Sequence, residues 1–154
     1  MGVFYEATMV FHRLSPLFYQ EFGMLDEILT KEDRPYYVLI LKLDGLTYAI
    51  PLRSNINHTY CFIADKSIGQ NNGLDYSKAV VIIDNKFIDT NPVTIRQNEF
   101  NVYKKKEHII KKQFSSYVAR YKKEILRRIE KPSLPISSLC RYSSLKHFHQ
   151  ALGL

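Results

Sequence analysis

An Asp-Gly dipeptide flanked on both sides by β-forming residues constrains this chain more than any other local feature. Tyr36-Tyr37-Val38-Leu39-Ile40-Leu41-Lys42-Leu43 runs into Asp44-Gly45, and Leu46-Thr47-Tyr48-Ala49-Ile50-Pro51-Leu52 leaves it. Two such runs joined by a two-residue Asp-Gly loop predict a type I′ hairpin, since both loop positions need positive φ and the turn then matches the strands' twist. Tyr36 to Leu41 carries no strongly polar side chain. Both faces of that strand should therefore be covered, which places it in the interior of a sheet.

The rest of the chain supplies neighbours for this hairpin. Phe4–Phe11 reads as a first strand. Ser15-Pro16 reads as an N-cap followed by proline at the first helical position, with Phe18, Phe22, Leu25 and Leu29 on one face and a polar turn from Thr30 to Pro35. Further strands are expected at Tyr60–Ala64 and Ala79–Ile83, then an Asp84-Asn85 turn towards Lys86–Asp89. From Glu107 the period becomes helical, with Ile110, Phe114, Tyr117, Val118, Tyr121, Ile125 and Ile129 on one stripe up to Pro132. About 25 residues at 1.5 Å each make a rod of roughly 37 Å. Leu139, Tyr142, Leu145, Phe148 and Leu152 suggest a last short helix packing back. The expected fold is α+β, a twisted, mainly antiparallel sheet packed against helices with one long basic C-terminal helix, as a single domain over residues 1–154.

Charge is unevenly distributed. Residues 1–100 carry nine Lys/Arg against twelve Asp/Glu, whereas residues 101–131 carry eleven against three, so the basic character of the chain, +7 overall, resides in one segment of net +8. A basic face of this kind fits a phosphate-backbone partner, with Lys104, Lys105, Lys106, Lys111 and Lys112 as the phosphate-binding stripe. Tyr103, Tyr117 and Tyr121 interleave with it, but the last two lie on the apolar stripe and are expected in the core. Tyr36 or Tyr37, beside Arg34, is better placed for stacking on a base.

No apolar run reaches the roughly 18 residues of a membrane span, and no repeat is visible. Met1 to Glu6 has no basic n-region with an apolar core, so a cytoplasmic protein is expected. Cys61 and Cys140 stand far apart without close Cys/His pairs and read as buried, reduced thiols. His147-x-His149 lacks a third ligand, so no metal site and no cofactor are expected.

Asp44-Gly45-Leu46-Thr47-Tyr48-Ala49-Ile50-Pro51-Leu52-Arg53-Ser54, with Arg34 ahead of the preceding strand, resembles the ToxN/AbiQ family of endoribonuclease toxins from type III toxin–antitoxin systems. Cys140-Arg141-Tyr142-Ser143-Ser144-Leu145 is similar to that family's Cys-x-aromatic-Ser-x-Leu segment, and the order of elements agrees over most of the chain. The family carries Lys at Arg34, Thr-Ser at Arg53-Ser54, and often Lys where this chain has Ile56; Arg53-Ser54-Asn55 looks like the TenpN-like branch.

The resemblance implies a metal-independent endoribonuclease that cuts single-stranded mRNA. Its implied partner is a cognate folded repeat antitoxin RNA, in a closed toxin–RNA assembly. It implies catalytic roles for Ser54, Arg53 and Arg34. Cleavage by the substrate's own 2′-OH needs a proton acceptor, stabilisation of the phosphorane and a proton for the leaving 5′-oxygen. The arginines suit the phosphate oxygens. His58 is the nearby imidazole for proton transfer, and Asn57 could orient the phosphate or a base edge. The rival expectation is a nucleic-acid-binding module that uses the basic helix without catalysis.

Overall fold

The computed structural model describes residues 10–30, 36–66 and 71–154. Residues 4–9 of the expected first strand, and the part of the polar turn that includes Arg34, lie outside the described residues. The described strands are β1 (Val10–Leu14), β2 (Tyr37–Leu43), β3 (Leu46–Arg53), β4 (Cys61–Asp65), β5 (Asn72–Asp75), β6 (Val80–Val81) and β7 (Ile88–Asp89). They form one antiparallel sheet in the order β4-β5-β3-β2-β1-β7, with β6 also on β3. The described helices are α1 (Pro16–Phe22), α2 (Gln97–Lys105), α3 (Glu107–Glu130), α4 (Ser138–Arg141) and α5 (His149–Leu152). The α+β architecture is therefore the one the patterning predicts.

The hairpin lies at the centre of this sheet. Asp44 and Gly45 have φ of 51° and 79°, as a type I′ turn demands, and β2 pairs with β3 from Val38↔Pro51 to Leu43↔Leu46. Val38, Leu39 and Leu41 are all buried, so both faces of β2 are covered. On one face Phe18 and Ile28 lie against Val38, Ala49 and Val80. On the other, Phe114 of α3 packs edge-on to Tyr48 with ring centroids 5.0 Å apart, and Tyr103 of α2 meets Phe11 at 5.6 Å.

The strand edge of β3 opposite β2 determines where the site forms. Leu52 and Arg53 pair with Leu74 and Gly73 of β5, and Ala49 and Tyr48 pair with Val80 and Val81 of β6. Two residues of β3, Ile50 and Pro51, thus face five residues of the partner segment, Asp75 to Ala79. Pro51 has no N–H to give to a ladder. The partner leaves the sheet there in a 3₁₀ turn, Tyr76–Lys78, capped by the Asp75 side chain accepting from the Ser77 N–H.

Several local expectations are corrected. α1 stops at Phe22, because the weak helix former Gly23 follows; Leu25 is exposed, Leu29 half-buried, and Ile28 takes the inward position. The strand expected at Ala79–Ile83 shrinks to β6, and that at Lys86–Asp89 to β7 behind a 3₁₀ turn. β5 and α2 carry no strong periodic signal and were not foreseen. The apolar stripe of α3 outruns the sheet: Ile125 is half-buried and Ile129 is 64% exposed. Tyr142 is 53% exposed, and Cys61 is half-buried. Tyr117 and Tyr121 are core residues, as expected.

The C-terminal segment is pinned to both α3 and the 3₁₀ turn. Ser137 caps α4 and donates to Glu124, the Tyr117 hydroxyl donates to Ser143 at 2.8 Å, and the buried Ser144 hydroxyl reaches the carbonyls of Ser77 and Ala79. His149 shares a 2.7 Å hydrogen bond with the Tyr121 hydroxyl. Burial, with His147 nearby, holds its imidazole below the usual range.

Two predictions follow from packing and titration. A Cβ on Gly73 would lie 1.8 Å from the Phe62 carbonyl oxygen, whereas one on Gly45 meets nothing within 4 Å. Gly73→Ala should therefore cost more than about 2 kcal/mol in urea unfolding, and Gly45→Ala, strained only by its positive φ, about 1 kcal/mol. The unfolded chain binds the His149 proton more readily than the folded one, so this site's contribution to stability is complete above about pH 6.5 and lost as pH falls through that range. His149→Gln should flatten the acid side of a Tm-against-pH curve.

Candidate active site

The site is built around a carboxylate with no solvent exposure. Asp75 ends β5 on the same sheet face as Arg53, and its Oδ2 accepts from Arg53 Nη1 at 2.6 Å. Its Oδ1 accepts from the Ser77 amide at 3.0 Å and the Ser77 hydroxyl at 2.6 Å, and lies 3.2 Å from His58 Nε2. A buried carboxylate is costly unless its lone pairs are met by donors, and here both oxygens are supplied.

The loop after β3 brings His58 to this carboxylate. Asn55 takes the left-handed conformation, φ 56°, which asparagine tolerates better than most residues. The chain turns, and Ile56 plugs inward at 3% exposure, its amide donating to the Asn71 carbonyl. Asn57 and His58 are thereby presented outward. His58 Nδ1 accepts from the Tyr60 amide at 3.1 Å, so a neutral ring carries its proton on Nε2, directed at Asp75.

Arg53, Asn57, His58 and Lys78 line a cleft of about 360 Å³, with Tyr60, Ser138 and Tyr142 forming walls above Ser77. The Arg53 and His58 side chains keep 30% and 28% exposure, so each retains a face towards the cleft. Lys78 is tethered by an ion pair to Glu27 and by donation to the Tyr142 carbonyl at 3.0 Å. A second cleft of about 370 Å³ lies between α3 and the start of β4, lined by Lys112, Gln113, Ser116 and Arg120 on the helix side. Tyr60 lines both.

Ser77, His58 and Asp75 are not a nucleophilic triad. Ser77 is buried and donates to Asp75, and His58 directs the same nitrogen at both, so no base faces the hydroxyl. Cysteine chemistry is equally disfavoured: burial, followed by Glu124, pushes the Cys140 thiol up to about 12, and burial, followed by Asp75, raises that of Cys61. His147 donates to the Asp26 carbonyl while His149 meets Tyr121, so the two rings have different partners.

Of the sequence-derived candidates, Arg53, Asn57 and His58 come together in the cleft. Ser54 is exposed, one residue beyond Arg53, and its hydroxyl makes no hydrogen bond among the described residues; it is not part of the cleft wall. Arg34 lies outside the described residues. Tyr36 borders a small apolar space under α1 instead of the cleft. Lys104, Lys105 and Lys106 are exposed at the corner between α2 and α3, and Lys111 is ion-paired to Glu107 at 3.5 Å. Lys112 of the stripe lines the second cleft.

Sequence reasoning missed Asp75, Lys78, Tyr60 and Arg120. Asp75 precedes a Tyr-Ser-Lys turn that resembles any capped turn, and only pairing across β3 makes it the counter-ion of Arg53. Comparison of the chain with protein-family models, curated proteins and solved structures yields no match.

Asp75→Asn should remove the counter-ion and misplace donors, lowering stability by about 2–4 kcal/mol in chemical denaturation. Long-range ¹H–¹⁵N spectra should show neutral His58 protonated on Nε2 in the wild type. A proton on Nδ1 would contradict the tautomer derived from the Tyr60 amide.

Proposed function

We propose that this chain is a metal-independent endoribonuclease that cleaves single-stranded RNA through attack of the substrate's 2′-OH. The convergence of Arg53, His58 and Lys78 in one cleft beside a basic helix is the observation that supports it. The resemblance to ToxN/AbiQ toxins supports the biological setting, a cytoplasmic toxin held inactive by a cognate folded repeat RNA in a closed assembly.

The chemistry follows from the side chains. The 2′-OH gives up its proton as its oxygen attacks phosphorus, the bond to the 5′-oxygen breaks as that oxygen takes up a proton, and the products are a 2′,3′-cyclic phosphate and a 5′-hydroxyl. Arg53 spends one nitrogen on Asp75, which leaves the rest of its guanidinium fork for phosphate oxygens as charge builds in the phosphorane. Lys78 adds a second positive charge.

His58 is the cleft side chain whose type exchanges protons near neutrality. It can withdraw from Asp75 at modest cost, because that carboxylate keeps Arg53 and both Ser77 donors. Asp75 is thus a positioning residue.

A second reading, a binding module without catalysis, is favoured by one observation: both His58 nitrogens and one Arg53 nitrogen already have internal partners. Activity assays separate the two. Expression without antitoxin RNA should arrest growth, and Arg53→Ala or His58→Ala should relieve it at unchanged circular dichroism, each with a rate loss of roughly 10²–10³. Cleavage should continue in EDTA and stop when the scissile nucleotide is 2′-deoxy. RNA that binds tightly but is never cut would favour the binding module.

A further inference from the structure

We propose that the second cleft, between α3 and the start of β4, is a subsite for the nucleotides flanking the cleaved linkage. A single RNA strand would cross Tyr60 with its phosphates on Lys112 and Arg120 and an unpaired base on the Tyr60 ring. This inference rests on the ribonuclease reading of the neighbouring cleft.

Three observations carry it. First, Tyr60 is the side chain common to both clefts, with its ring 5.9 Å from that of His58 on one side and 6.1 Å from that of Tyr117 on the other. Its hydroxyl is tied to Ser138 at 3.0 Å, so the ring is a fixed, half-exposed partition, a geometry suited to stacking.

Second, the cations of this cleft are uncompensated. Arg53 is paired with Asp75, Lys78 with Glu27 and Lys111 with Glu107, but among the described residues Lys112 and Arg120 make no ion pair or side-chain hydrogen bond. Gln113 accepts from the Tyr76 hydroxyl at 2.9 Å, leaving its amide N–H groups to donate. The helix side of the cleft therefore presents donors from Lys112, Gln113, Ser116 and Arg120, and among the described residues no carboxylate lines it.

Third, the spacing selects a strand over a lone phosphate. Lys112, Ser116 and Arg120 repeat every four residues along one face, so the two cations lie roughly 12 Å apart along the axis. That separation spans more than one internucleotide step, so the two cations suit different phosphates along an extended strand better than a single one. Stacking on Tyr60 needs an unpaired base, which selects single strands over duplexes.

The test uses the full chain and a fluorescein-labelled, fully 2′-O-methyl RNA of about twelve nucleotides, which cannot be cut by 2′-OH attack. Its affinity is read by anisotropy as salt is varied. Lys112→Ala/Arg120→Ala should weaken binding about ten-fold and reduce the slope of log affinity on log salt by about 1.4. Lys86→Ala, which removes an exposed charge in the 3₁₀ turn before β7, at the sheet edge opposite β4, is the control and should change affinity less than about two-fold.

Tyr60→Ala should cost about ten-fold, and Tyr60→Phe, which keeps the ring, should restore binding. Wild-type affinity in the double variant, an equal loss in Lys86→Ala, or failure of Phe to restore what Ala removes would overturn the subsite. Cleavage of unmodified RNA is scored separately. Binding through these residues without cleavage would sink the ribonuclease reading and leave the subsite standing. Cleavage with unaffected binding would do the reverse.

Discussion

Burying the Asp75 carboxylate is the constraint on which the site depends. A charge without solvent must find donors inside the protein, and three elements have to meet to provide them: the end of β3 with Arg53, the loop with His58, and the 3₁₀ turn with Ser77. Each donor is also a candidate for function or holds one in place. The electrostatic requirement that makes the fold possible here therefore fixes the orientation of the cleft side chains as well.

The sheet creates the opening for that carboxylate. Pro51 cannot extend a ladder, the partner segment bulges out between Leu74 and Val80, and the excursion carries Asp75, Ser77 and Lys78 out to the cleft. The excursion would be a mobile loop if nothing covered it. Ser144 does so by hydrogen-bonding the Ser77 and Ala79 carbonyls, and Ser143, bound to Tyr117, ties the same segment to α3. The Cys140–Leu145 segment thus works as a clamp on the turn beneath the cleft. Its serines are buried because those carbonyls have no ladder partner.

α3 serves two surfaces at once. Ile110, Phe114, Tyr117, Val118 and Tyr121 seal the sheet, while Lys112, Ser116 and Arg120 face the second cleft about a quarter-turn or more away. The same helical period that makes a core stripe also aligns cations at four-residue spacing. Among the described residues no helix is long and apolar enough to cross a membrane; in α3 charged side chains flank the uncharged stretch 113–119 on both sides.

Periodicity and turn chemistry are local, and what they govern was legible in the sequence. The type I′ hairpin, the interior position of β2, the Ser15-Pro16 helix start, the core face of α3 and the α+β class all follow from residues within a few positions of one another. Part of the cleft was legible for the same reason, since Arg53, Asn57 and His58 lie within six residues. Asp75, Lys78, Tyr60 and Arg120 were not, and neither was the clamp of Ser143 and Ser144. Nothing near Asp75 in the chain marks it as buried; it becomes the partner of Arg53 only because β5 pairs with β3 across 22 residues. Local sequence determined the elements and one arc of the site, whereas long-range strand pairing decided which charges share a desolvated space, because desolvation depends on what the whole fold excludes from water.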